Sequence, residues 1–222
     1  METRAEPITK PRAPLSRERV LRAALDLADK SGIESLTMRR LGQDLQVEAM
    51  SLYNHVANKE DILDGIVDLV FAEIALPSDG AGWKPAMRRR AISAREALLR
   101  HPWATSLMHS RTNPGPAQLR HHDSVLGALR KGFTLVMAAH AVSVIDGYVY
   151  GFALQQINLP LRSPEQVAEV GENILRQLAG EYPHLAEMIT EHAMKPGYQY
   201  SEEFEFGLDL VLEGLERRRD KS

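Results

Sequence analysis

Cysteine is absent from the 222 residues, so disulfides and thiolate metal sites are excluded and a reducing compartment is compatible. Aromatic residues make up only 6% of the chain, and β-branched runs are scarce. Both features favour helices over sheet. No uninterrupted run of about 18 apolar residues is present, which leaves nothing expected to span a membrane. No N-terminal apolar stretch resembles a signal peptide, so the expected address is cytoplasmic. Catalytic signatures are missing as well: there is no serine-histidine-acid spacing, no phosphate-cradling glycine loop and no His-Glu metal motif. Turnover, a cofactor and a metal are therefore not expected.

Hydrophobic residues make up 44% and charged residues 26%, ordinary values for a globular chain of one large or two small domains. The net charge of −3 hides a mild asymmetry. Residues 1–60 carry 10 Lys+Arg against 9 Asp+Glu, and the remainder 17 against 21. A DNA-binding head on an acidic body is compatible with this distribution.

Residues 1–15 hold three prolines and read as a disordered, weakly basic arm carrying Arg4, Lys10 and Arg12, either solvated or touching DNA. Ser16 is a plausible N-cap for a helix over about 17–30, whose apolar face is Val20, Leu21, Ala24, Leu25 and Ala28. Thr37 caps a short second helix with Met38, Leu41 and Leu45 on one side. Gln46 and Val47 break the chain, and a third short helix covers roughly 48–54. Asn58 caps a long helix over about 59–75, followed by a linker ending near Gly82. Further helices are expected at about 83–100, just after Pro102, and over about 116–131, 134–157, 164–179 and 201–219. The fold class is all-α. It divides into a disordered arm (1–15), a helix-turn-helix domain (16–62), a connecting helix and linker (63–82) and a helical body (83–222).

Two short helices joined by a tight turn and braced by a third make a helix-turn-helix. In Glu48, Ala49, Met50, Ser51, Leu52, Tyr53, Asn54 and His55 only Leu52 reads as a core residue. A short helix with one anchor and an adaptable face suits a reader of the major groove. A small helical subdomain with no DNA role gives the same spacing.

The segments AALDLADKSGIESLTMRRLGQDL and SLYNHVANKEDIL resemble the DNA-binding domain of the tetracycline-repressor (TetR) family. Trp83 and the REALLRHP stretch at 95–102 extend the likeness into the body, for which the resemblance implies ligand binding and dimerisation. The resemblance implies that Arg39 contacts a guanine, to which arginine can make two bonds. It implies phosphate contacts for Thr37, Tyr53 and Lys59, the last at a helix start where amides also favour an anion. His55 matches a motif position, with a neutral structural role as the alternative. The name-giving repressors carry glutamine, proline and tryptophan where this chain has Ala49, Met50 and Asn54, so a different operator sequence is expected. The positions that hold tetracycline are here Ala75, Arg90 and Ala94, which argues against a tetracycline–magnesium ligand. The run Arg88, Arg89, Arg90 is expected to be solvated.

In the body, Met87, Trp103, Leu107, His109, His140 and Tyr148 are candidates for an effector pocket. His121, His122 and Asp123 could suggest a metal, but adjacent helical residues diverge by about 100° and rarely share one ion. Gly147 and Gly151 belong to a small-residue stripe that permits close helix approach. With Phe152, Leu208, Val211 and Leu215 they form the expected homodimer interface. The expected partners are a palindromic double-stranded DNA operator, a small-molecule effector and a second copy of the chain, with no membrane. The expected function is a ligand-released repressor. The alternatives are an activator or ligand-independent regulator of the same fold, or an all-helical enzyme.

Overall fold

Among the described residues, helix signals in the chain become eleven α-helices in the computed structural model, and every regular element is helical. The described residues are 14–77, 80, 82–108, 110–159, 164–178 and 180–219. The basic-arm residues Arg4, Lys10 and Arg12, and His109 of the expected pocket, lie outside them. The chain forms two compact units, residues 1–67 and 68–222.

The first unit contains α1 (Arg17–Ser31), a 3₁₀ turn (Ile33–Ser35), α2 (Met38–Leu45), α3 (Ala49–Leu52) and the start of α4 (Lys59–Glu73). Side-chain caps set three of these starts. Ser16 accepts from the Arg19 amide at 3.3 Å, Thr37 from Arg40 at 3.2 Å and Asn58 from Asp61 at 2.9 Å. Each satisfies an amide that the helix itself cannot. The core collects Val20, Ala24 and Leu27 of α1, Leu36, Leu41 and Leu45, then Leu52, Val56, Ile62 and Ile66. The α2–α3 turn passes through Gln46 in the left-handed region, at φ 57°. Opposite it sits Gly42, where a Cβ would lie 2.9 Å from the Val47 carbonyl oxygen and 3.2 Å from Ala49 Cα. Only a glycine lets α2 and α3 approach this closely.

The second unit holds the end of α4, then α5 (Trp83–Arg100), α6 (Ala104–Leu107), α7 (Pro116–Arg130), α8 (Leu135–Asn158), α9 (Pro164–Leu178), α10 (Pro183–Met188) and α11 (Tyr200–Arg219). The short α10 and the wide π turn at Ile189–Ala193 fall in a stretch to which the sequence reading assigns no helix. Their residues bury little apolar surface, so helical periodicity is faint there. The long α8 is central and packs on α5, α6, α7 and α11. Its inner stripe is Ala138, Ala141, Ile145, Val149 and Ala153, and alanines on α5 (Ala91, Ala94, Ala97) are buried as well. Small side chains on both helices allow close packing. Helix α8 is long and apolar enough to cross a membrane by length and composition, though only 22% of its most apolar window is buried. Its apolar content comes from two faces, one inside the unit and one outside.

Candidate DNA-reading face and effector cluster

Leu52 is fully buried and Val56 nearly so, which pins α3 to the first unit. Everything else on that segment stays available. Met50 is 74% exposed and Tyr53 47%. Glu48, Asn54, Thr37, Arg39 and Lys59 are exposed, and Ala49, Ser51 and His55 half-buried. The Thr37 oxygen serves as the α2 cap, leaving its hydroxyl proton free to donate. Nearby cations differ in their engagement. Arg17 forms a two-armed pair with Asp61 at 2.6 and 2.8 Å, and Asp61 also accepts from the Ala57 amide. The Arg17 hydrogen bond holds the Asp61 carboxyl below its ordinary range. Arg22 pairs with Glu18. Arg39 and Lys59 engage no acid among the described residues.

The outer face of α8 carries Leu135, Val136, Val144 and Leu154, all 49–65% exposed, around Gly147 and Gly151. A Cβ at either glycine would meet nothing within 4 Å. On α11, Phe206 and Leu210 are 66% and 57% exposed. These positions are part of the exposed apolar surface of the second unit.

This placement corrects several expected interface residues. Leu208 and Leu215 are buried inside the unit with Phe204 and Leu212, because that stripe of α11 turns toward α5 and α8. Val211 is half-buried. Phe152 belongs to an internal aromatic cluster, stacked on Tyr200 at 4.9 Å and edge-on to Phe204 at 5.2 Å. The Arg95 guanidinium lies over Phe204 at 4.9 Å.

The expected pocket residues differ in their settings. Met87 is fully buried, Trp103 nearly so, and Leu107 half-buried. Tyr148 donates its hydroxyl to the Phe204 and Glu203 carbonyls at 3.0 and 3.2 Å, reaching them over Gly207. It thus fastens α8 to α11. His140 is exposed. It sits about 100° around the helix from buried Ala141, amid the outer face.

The arginine run also divides. Arg88 bonds Glu205 at 2.6 Å and Asp209 at 2.9 Å on α11. Arg90, expected in solvent, is only 2% exposed. Its Nη1 lies 2.5 Å from Asp146 Oδ1 on α8, and its Nε donates to His121 Nε2 on α7 at 3.1 Å. His121 is fully buried and tilted against the Phe71 ring of α4, 5.5 Å away. Burial, reinforced by the Arg90 charge, pushes its imidazole down to about 3, so it is neutral. Burial likewise pushes the neighbouring Tyr150 phenol up. His122 points elsewhere, onto the Gln118 carbonyl at 2.8 Å. Among the described residues no group of three metal-ligating side chains converges.

Four helices meet at this cluster, and α4 is fastened beside it. Asp68 accepts from the Gln118 amide at 2.8 Å in the first turn of α7. Glu73 pairs with Arg100 at 2.7 Å and His101 at 3.1 Å, at the end of α5. The Ala75 amide donates to Ser93 Oγ at 2.9 Å.

The sequence signal for the buried pair was weak: one arginine among three neighbours, and one Asp on an apolar helix. Gly42 carried a clearer signal, a glycine inside a short helix that needs a packing reason.

Residues 76–219 match the family described as "Tetracyclin repressor-like, C-terminal domain". The chain is 32% identical to the HTH-type transcriptional repressor DrrR1 of Streptomyces coeruleorubidus over 97% of its own length and 82% of the relative's. It is 32% identical to the class D tetracycline repressor of Escherichia coli, covering 92% and 90% of the two chains. Apo ActR from Streptomyces coelicolor superimposes with a TM-score of 0.76 at 26% identity, over 95% of this chain and 99% of that one. With a helix-turn-helix head and a matching helical body, the chain belongs to the TetR family of transcription regulators.

Proposed function

We propose that the chain is a ligand-responsive repressor that binds a palindromic DNA operator as a homodimer and is released by a small-molecule effector. The observation that carries this reading is the exposed α2–α3 surface, where Arg39 and Lys59 stand without acidic partners on an otherwise well-packed head. Unpaired cations beside a groove-sized helix suit phosphates and base edges. Thr37, Tyr53, Lys59 and the first turn of α4 would hold the backbone. Arg39, Ala49, Met50 and Asn54 would read bases, and Glu48, Ser51 and His55 complete the face.

A second copy would cover the outer face built from α8 and α11, around Gly147, Gly151, Val144, Leu154, Phe206 and Leu210. Apolar patches of this kind mark interaction surfaces, and a two-fold dimer matches a palindrome. The effector would act from the body, where α4 is fastened to α5 and α7. Among the solved relatives, ActR is known in complex with actinorhodin. The relatives are named as repressors, which supplies the sign proposed here. The reading places the protein in the cytoplasm, with the DNA, and assigns it no enzymatic turnover.

The test is selection of a binding site from randomised duplex DNA, followed by titration with compounds that stabilise the protein thermally. A palindromic site whose affinity falls on adding a stabilising compound supports the reading. Absence of any preferred site contradicts it.

A further inference from the structure

Cysteine is absent, so the sulfur of this chain is confined to its eight methionines. They are the positions open to reversible oxygen transfer at sulfur, and they differ in access. Met87 is fully buried and Met108 nearly so. Met38, Met137 and Met194 are half-buried, and Met188 on α10 is 47% exposed. Met1 lies outside the described residues. Met50 on α3 is 74% exposed, more than any other large apolar side chain among the described residues. Folding gives no reason for a thioether there. Leu52 and Val56 hold the segment to the head, and a side chain left in water adds little apolar burial. Oxygen added to its sulfur therefore leaves the packing of the head intact.

We propose that Met50 is an oxidation site through which a peroxide weakens DNA reading without unfolding the head. The inference rests on the DNA-reading role proposed above and adds a chemical control to that face. The Met50 sulfur attacks one peroxide oxygen with a lone pair, and the O–O bond breaks. A sulfur–oxygen bond forms and sulfur loses two electrons to the peroxide. With hydrogen peroxide, the departing hydroxide takes the proton of the transferred oxygen and leaves as water. The product changes what α3 offers to a base edge. A thioether is apolar and suits a thymine methyl group. A sulfoxide is polar and chiral, and its oxygen only accepts hydrogen bonds. Pressed against a methyl group or a phosphate, that oxygen loses its water and gains no donor. Tyr53 and Asn54 lie three and four residues on, so the change falls beside the other groups of the reading face.

The experiment uses the full-length protein, hydrogen peroxide and the duplex selected by the reduced protein. Peptide mass spectrometry times sulfoxide formation at each methionine. Operator affinity and thermal melting are read on the same samples. Met50 is expected to oxidise first, and more slowly when the duplex is bound. Operator affinity should fall about tenfold in step with Met50 oxidation, with the melting temperature unchanged. Treatment with the two methionine sulfoxide reductases and dithiothreitol should restore it. Met188→Leu should show the same loss. Met50→Leu, whatever its own affinity, should show no further change under peroxide. Should Met50→Leu misfold, the wild-type time course decides. Four results overturn the proposal: Met50 oxidising no faster than the half-buried methionines, affinity kept after Met50 is oxidised, loss that follows another methionine, or loss that accompanies unfolding. A selected site indifferent to Met50 oxidation overturns this inference alone. Selection of no site overturns the DNA-reading role, and this inference with it.

Discussion

Substituting Arg39 by alanine removes a guanidinium that engages no acid among the described residues, so its effect falls on DNA rather than on folding. Arg39→Ala is expected to weaken discrimination at one guanine by about 1–3 kcal/mol, read from selection on a randomised site; an unchanged preference profile contradicts the assigned contact. Lys59→Ala, at an exposed helix start, should reduce the salt slope of operator binding by about one unit. His121 supplies a pH signature of different origin. Its folded value, pushed down to about 3 from 6.5 by burial, means that the unfolded chain binds a proton the folded chain does not. Stability is therefore unaffected above pH 6.5 and lost as pH falls from there toward 3. Denaturant titrations across that window should show about one proton more taken up on unfolding than in His121→Phe. Equal slopes would remove His121 from the buried cluster.

At the scale of elements, the outer face of α8 and the α2–α3 turn each carry a test. Gly151→Leu adds a side chain where a Cβ meets nothing within 4 Å of its own subunit. The protomer should stay folded while the copy is held off, giving monomers by light scattering and loss of operator binding. A stable dimer from this variant places the interface elsewhere. Gly42→Val instead drives a side chain against the Val47 carbonyl and the Ala49 backbone. It should destabilise the head by roughly 1–3 kcal/mol, in line with overpacking, seen as faster amide exchange in α2 and α3 than in α8. The helices, their caps and the break at Gln46 were legible in the sequence, because periodicity and capping are local signals. Leu52 as sole anchor of α3 was legible for the same reason. The rotation of α11 was not: Leu208 and Leu215 share an apolar helix with Phe206 and Leu210, and packing on α5 and α8 decides which stripe turns inward. Arg90 escaped notice because burial of a charge depends on Asp146, distant in sequence and brought close only by the fold.

At the scale of the whole molecule, α4 is the covalent link. It begins at Lys59 and ends at Glu73, where an ion pair to Arg100 and a hydrogen bond with His101 fasten it to α5. An effector shifts operator affinity only by its differential affinity for the DNA-bound and released states. The same factor must appear whichever partner is added first. The direct measurement is therefore a closed cycle: operator affinity with and without a compound that binds the body, and affinity for that compound with and without operator. The account expects both ratios to agree and to fall at about 5- to 150-fold weakening. A compound that binds the body and leaves both affinities unchanged would contradict it.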